Sequence, residues 1–417
     1  MIEKITLDNG VRIVFERIPY VRSASVGIWI GTGSRFEKPK ENGASHFIEH
    51  MLFKGTASRS AAELASLTDM IGGQMNAFTS KDHTCFYCRA LDSHLPLVMD
   101  ILCDMFFNSK FDEDDVVSER RVIIEEMNMY DDTPEDLVME RLSAAIYKGN
   151  ALARPILGSE KGLEKFTGSF LKSYMEENYC PQDIVISLCG SFADSDVEYL
   201  RSRFALMRPG VPRKLTPAEY VPSVTCRRRA TEQNNIVIAF PGIRIGDPDK
   251  YKVQMLNSIL GSNPSSRLFQ SVREERGLCY SVYSFLSSFE DTGIFGVFTA
   301  TGRDTEREAL ELIKSEIHRI RDEGVSQEEL DRCREQIKAN LLMGLESTGA
   351  RMNNMGRSTL LYDRVPDPDE IIERYDAVTT EDVRTEAEKI LDFGRASVSA
   401  VGRVMKTEEY REFIAEA

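Results

Sequence analysis

Apolar and polar residues alternate over 5–16, around Asp8, Asn9 and Gly10, which is the period of strands with one buried face, and 24–32 is a second strand-like segment. Helical spacing follows at 43–53 and 61–71. Alternation returns over 74–91 and predicts a strand pair or one long strand. Long stripes at helical period run over 95–107 and 113–129, another over 163–179, and a short apolar strand over 183–189. This order predicts an α+β fold in which helices pack on a largely antiparallel sheet.

From about 207 to 226 the chain becomes proline-rich and loses its period, in MRPGVPRKLTPAEYVPSVTC, which reads as a linker. The element order then starts again. A strand is expected at 235–240, a helix at 251–260, a helix-to-strand passage at 268–289, a strand at 293–301, and helices at 306–322 and 327–345. The helix at 113–129 matches the one at 327–345, and 43–53 matches YKVQMLNSILG at 251–261. The expectation is therefore an internal duplication into two similar α/β domains, 1–206 and 227–417, joined by 207–226.

Length and composition fit this picture. A chain of 417 residues is long enough for two cores, and its 42% apolar and 29% charged residues are those of an ordinary globular protein. No apolar run approaches the ~20 residues of a membrane span. The start, MIEKITLDNGVRIVFE, lacks the basic head and apolar core of a signal peptide, so a cytoplasmic location is expected. A net charge of −15 argues against nucleic acid or an anionic membrane as partner. The eight cysteines lack paired spacing and suit reduced thiols. Cys85 and Cys88 have redox-motif spacing but fall in a strand, where residues three apart face opposite sides.

The chemistry begins in GASHFIEHMLFKGT at 43–56, which holds two of the five histidines. On a helix, His46 and His50 share one face and Glu49 lies about 60° to the side. Two imidazoles at this spacing can grip one ion, with the glutamate placed to take a proton from water, the pattern of the H-x-x-E-H metal motif. Satisfied core histidines beside an exposed glutamate would give the same five residues, so a further ligand is needed. The helix at 113–129 offers Glu119 and Glu126, seven apart on the expected apolar stripe of Val116, Val122, Ile123, Met127 and Tyr130, while Glu125 falls with Ser118 and Arg121 on the other side. An inward carboxylate needs a partner or a cation, and two histidines with one glutamate leave a fourth tetrahedral position open, as in catalytic zinc sites.

The runs 46–56, GGQMNAFTSKDHTCFY at 72–87, SERRVIIEEMNMYDDTPED at 118–136 and SSRLFQSVREERGLCYSVYSF at 265–285 together resemble the insulinase/pitrilysin family of zinc peptidases. The nearest likeness is to its short-chain branch, which includes the mitochondrial processing peptidase. The resemblance covers nearly the whole chain. It implies a clam-shell half, one zinc ion per chain held by His46, His50 and Glu126, Glu49 as general base, and Glu119 in support. Asn76, Ala77, Phe78 and Thr79 would be the strand to which a peptide substrate adds. Arg273 and Tyr280 would donate to the substrate backbone and the developing oxyanion.

The resemblance implies an endopeptidase acting on peptides or unfolded segments inside a closed chamber. Because the family's long members close four such domains around substrate and this chain has two, a homodimer is expected, each site joining zinc from one subunit with Arg273 and Tyr280 from the other. A non-catalytic scaffold and a subunit active only beside a sister chain remain open. Two departures stand out. Gly261, Ser262, Asn263 and Pro264 keep one glycine of a usually glycine-rich loop, and Asp82 replaces a common glutamate.

Overall fold

The computed structural model describes residues 1–210 and 213–415. Two compact units share the chain. The first comprises Met1–Met127, Arg154–Thr216 and Leu342–Pro366, and the second Asn128–Ala153, Pro217–Leu341 and Asp367–Ala417.

The first unit is built on six strands, β1 (Ile2–Thr6), β2 (Arg12–Arg17), β3 (Ser23–Ile30), β4 (Gln74–Thr79), β5 (Thr84–Leu91) and β6 (Ile184–Gly190). Their order is β1-β2-β6-β3-β5-β4. The second has β7 (Val224–Arg228), β8 (Asn234–Pro241), β9 (Cys279–Ser288), β10 (Gly293–Thr301) and β11 (Ser397–Gly402), ordered β7-β11-β8-β10-β9. Without β1 the two sheets have one topology. β2 with β6 and β7 with β11 are the parallel pairs, and every other pairing is antiparallel. The expected duplication is thus visible in strand order and strand direction.

The expected strand at 5–16 is a hairpin, because Asp8, Asn9 and Gly10, the last at φ 97°, turn the chain between β1 and β2. The stretch 74–91 is the pair β4 and β5. The linker is shorter than 207–226, since β7 begins at Val224 and pairs with β11.

Five helices precede residue 150, α1 (Ala44–Leu52), α2 (Ala61–Met70), α3 (Leu95–Asn108), α4 (Glu113–Asp132) and α5 (Pro134–Ile146). The pattern missed α5, and it missed Thr348–Tyr362 and everything beyond. These two helices sit on the far side of the sequence division. α5 belongs to the second unit and packs on β8 and β11, whereas Thr348–Tyr362 belongs to the first and packs on β3 and β6. Each is anchored in the same way. Ser187 on β6 donates to the Met352 carbonyl at 2.7 Å, and Ser399 on β11 donates to the Val138 carbonyl at 2.8 Å.

Under Thr348–Tyr362 the sheet approaches closely. A Cβ on Gly356 would lie 2.2 Å from the indole nitrogen of Trp29, so only glycine lets the helix settle there. Trp29, Val14, Val185, Cys85, Met352 and Met355 form the core of that contact.

Candidate metal centre

Helix α1 is set in place at its N-terminus. Gly43 caps it at φ 101°, and a Cβ there would lie 2.7 Å from the Leu157 carbonyl oxygen. The first turn's orphan amides are met by Glu37, whose Oε2 accepts from Gly43 N at 2.8 Å and whose Oε1 accepts from Ser45 N at 2.8 Å. Glu37 is buried, and burial raises its pKa against these hydrogen bonds. Nothing local in EKPKEN marks that role, because the partner amides lie six and eight residues on.

Held in this way, α1 turns His46 and His50 to one side with ring centroids 4.7 Å apart. Helix α4 faces them. Glu126 Oε2 lies 3.6 Å from His46 Nε2 and 3.5 Å from His50 Nε2. Two nitrogens and an oxygen bound tetrahedrally at about 2.0–2.1 Å from zinc would stand about 3.4 Å apart. Glu126 therefore stands from both nitrogens at the spacing one such ion requires, the three ligand atoms lie within 4.8 Å of one another, and among the described residues this is the one group of three or more His, Cys, Asp or Glu side chains placed to hold a metal.

The electrostatics agree with a cation site. Burial and the neighbouring His50 push His46 down to about 4. Burial also opposes charge on His50, yet Glu119 and Glu126 raise it to about 9. Glu126 is held below the usual carboxylate range by the His50 hydrogen bond first and by the charge of both histidines. The carboxylates on α4 are thus set to attract positive charge.

Glu119 is 4% exposed, and its Oε2 meets His50 Nδ1 at 2.9 Å. That contact directs the opposite ring nitrogen, Nε2, toward His46 and Glu126. Glu125 stays on the exposed side. One member of the expected stripe is wrong, since Val122 is 48% exposed. It precedes Ile123 by about 100° of helical rotation, and the buried row runs through Val116, Glu119 and Ile123 instead.

Glu49 points toward β4. Its Oε2 accepts from Thr79 Oγ1 at 2.6 Å, and burial raises its pKa although Thr79 and His50 oppose the shift. Among the described residues β4 is a sheet edge, paired with β5 alone, so Asn76, Ala77, Phe78 and Thr79 leave one side of their backbone without a strand partner there.

Comparison with known proteins gives these residues a context. A sequence profile described as Insulinase (Peptidase family M16) matches residues 12–160, and one described as Peptidase M16 inactive domain matches 165–337. The chain belongs to the insulinase family.

Among its relatives is the uncharacterized zinc protease YmxG of Bacillus subtilis (strain 168), 42% identical over 97% of this chain and 100% of its own length. Another is the uncharacterized zinc protease SCO5738 of Streptomyces coelicolor, 37% identical over 96% of this chain and 89% of that protein. The fold matches a solved structure described as a peptidase M16 inactive domain from Pseudomonas fluorescens, with TM-score 0.89 and 20% identity over 97% of this chain and 98% of that one. It also matches a protease from Helicobacter pylori, with TM-score 0.88 and 18% identity over 96% and 99%. In this insulinase-family chain the first half carries His46, Glu49 and His50, whereas the helix Lys250–Gly261, which follows β8 as α1 follows β3, has no His, Cys, Asp or Glu.

Arg273 and Tyr280 form a pair of their own in the second unit. Phe269–Glu275 is wound as a π-helix, a form frequent at functional sites. The Arg273 guanidinium carbon lies 4.6 Å from the Phe269 ring centroid and 5.3 Å from that of Tyr280, and Tyr280 is 71% exposed.

The two departures have local explanations. Asp82, though shorter than glutamate, reaches a buried ion pair with Arg35 at 3.1 Å. Asn263 braces its loop by donating to the Ser258 carbonyl at 2.9 Å and accepting from Ser265 N at 3.0 Å. Cys85 and Cys88 are both fully buried with thiol pKa values pushed up, Cys88 to about 12, which leaves them inert.

Proposed function

We propose that this insulinase-family peptidase is a zinc-dependent endopeptidase that hydrolyses peptides or unfolded segments enclosed in a chamber. The observation that carries the reading is the convergence of His46 Nε2, His50 Nε2 and Glu126 Oε2, with Glu126 3.5–3.6 Å from both nitrogens and all three within 4.8 Å of one another, beside the half-buried Glu49. His46, His50 and Glu126 would hold one zinc ion, which when bound supplies Lewis-acid polarisation of the scissile carbonyl and acidifies water.

Glu49 then acts as the proton carrier. Its carboxylate takes a proton from the attacking water and delivers it to the leaving amine. Thr79 holds that carboxylate in place by its hydroxyl. The open edge of β4 takes the substrate as an added strand, main chain to main chain, which suits extended peptides and excludes compact folded proteins. Arg273 and Tyr280 serve as donors to the substrate backbone. We assign them to the site of a second copy of the chain, giving a homodimer with two shared sites.

The test is hydrolysis of a quenched fluorogenic peptide by the purified protein, with a chelator-treated, zinc-restored sample alongside. Cleavage lost to chelator and recovered with zinc is expected. Absence of cleavage in zinc-loaded protein would overturn the self-sufficient enzyme and leave a partner-dependent or non-catalytic subunit.

A further inference from the structure

Lys54 extends the metal-facing row of α1. His46, His50 and Lys54 stand at i, i+4 and i+8, and although α1 ends at Leu52 the following turn keeps its direction, with Lys54 N donating to the Met51 carbonyl at 3.1 Å. The opposing row on α4 is Glu126 and Glu119. The two rows pair in sequence. Glu126 faces both histidines, Glu119 Oε2 meets His50 Nδ1 at 2.9 Å, and Glu119 Oε1 forms an ion pair with Lys54 Nζ.

We infer that Lys54 is a positioning residue for the metal, acting through Glu119 on His50. A glutamate side chain has three rotatable torsions, and its carboxylate is anchored only when both oxygens are held. Here His50 holds one and Lys54 the other, with no further hydrogen bond or ion pair to this carboxylate in the described residues. Released from Lys54, Glu119 would leave a buried oxygen without a partner and would swing or take up another donor, loosening the His50 ring. Outer partners of this kind typically change metal affinity by about 10–100-fold when removed. Lys54 keeps a third of its side chain in water, so its replacement leaves the core intact.

The inference rests on the zinc reading, and the experiment separates the two. Metal-free wild type, Lys54→Met and Lys54→Arg are titrated with Zn²⁺ against a chromophoric chelator and with Co²⁺ followed by its visible absorption, and the thermal midpoint of each metal-free protein is recorded. Lys54→Met should bind Zn²⁺ about tenfold more weakly with an altered Co²⁺ spectrum, and Lys54→Arg should recover most of the affinity. In a Glu119→Gln background the same Lys54→Met change should have little further effect. Wild type that binds neither ion would sink the zinc reading itself. Wild-type affinity and spectrum in Lys54→Met, or an undiminished loss in the Glu119→Gln background, would overturn the role given to Lys54. A lower thermal midpoint with unchanged affinity would overturn it too, leaving an ordinary stabilising ion pair.

Discussion

Thr79 Oγ1 donates a 2.6 Å hydrogen bond to Glu49 Oε2, so a strand expected to bind substrate also orients the expected base. Thr79→Val keeps the shape of the side chain and removes the donor. It should lower kcat by about tenfold or more while zinc content stays at wild type, because a misaligned base forfeits part of the ~10²–10⁴-fold that general base catalysis supplies. Thr79→Ser should restore most of the loss, and metal analysis beside steady-state kinetics would check both.

Glu125 and Glu126 are neighbours with opposite surroundings, the first exposed and the second against both histidines. Glu126→Gln should bind zinc weakly and lose peptide hydrolysis together with the metal. Glu125→Gln should change neither by more than about twofold, as expected of a solvated helix charge. Equal losses in the two variants would contradict the assignment.

Shared sites have an arithmetic signature. If zinc comes from one subunit and Arg273 from its partner, an equimolar mixture of Glu49→Gln and Arg273→Ala proteins that exchanges subunits makes mixed dimers with one intact site of two. Half the dimers would be mixed, so about one quarter of wild-type activity should return from two inactive preparations. Sites contained within single chains would return none.

His83 lies half-buried beside Trp29 and Phe78, with ring centroids at 5.6 and 5.9 Å, and its shielded Nδ1 meets no hydrogen-bond partner among the described residues. Burial first, then the charges of Arg357 and Arg213, lower its pKa from 6.5 to about 4. As pH falls from 6.5 to 4 the unfolded chain takes this proton and the native state does not, so native stability declines across that window. The shift corresponds to about 3 kcal/mol at its limit. His83→Phe should therefore show a shallower fall in thermal midpoint between pH 6.5 and 4 than wild type. An unchanged slope would show that His83 does not carry this loss.

That residues 46 and 50 share one face, and that 119 and 126 share one stripe, was legible from helical geometry, and the resemblance then selected among the acids. Lys54 could have been found in the same way, one turn beyond His50. Glu37 could not, since its amide partners are brought to it by a loop. β2, β4 and β5 were readable from alternation and β3, β6, β8 and β10 as short strand-like runs, while β7, which falls in the proline-rich stretch, and β11 went unread. α5 and Thr348–Tyr362 were not. The latter, TGARMNNMGRSTLLY, carries Gly349 and Gly356 where a stripe would carry bulk, because its buried side fits against Trp29 rather than filling a gap. Its contrast between faces is therefore low, and its place in the first unit depends on residues more than 150 positions away.

That exchange of helices bears on how the polypeptide can be divided. A cut in the 207–226 segment would look harmless by composition, yet fragment 1–206 would keep α5 without β8 and β11 beneath it and would lack the helix that shields Ser25, Trp29 and Ser187. Fragment 227–417 would carry the reverse deficit. Each piece would hold the other's missing part, so the fragments are complementary, and a gene split at this point would yield products that depend on finding each other.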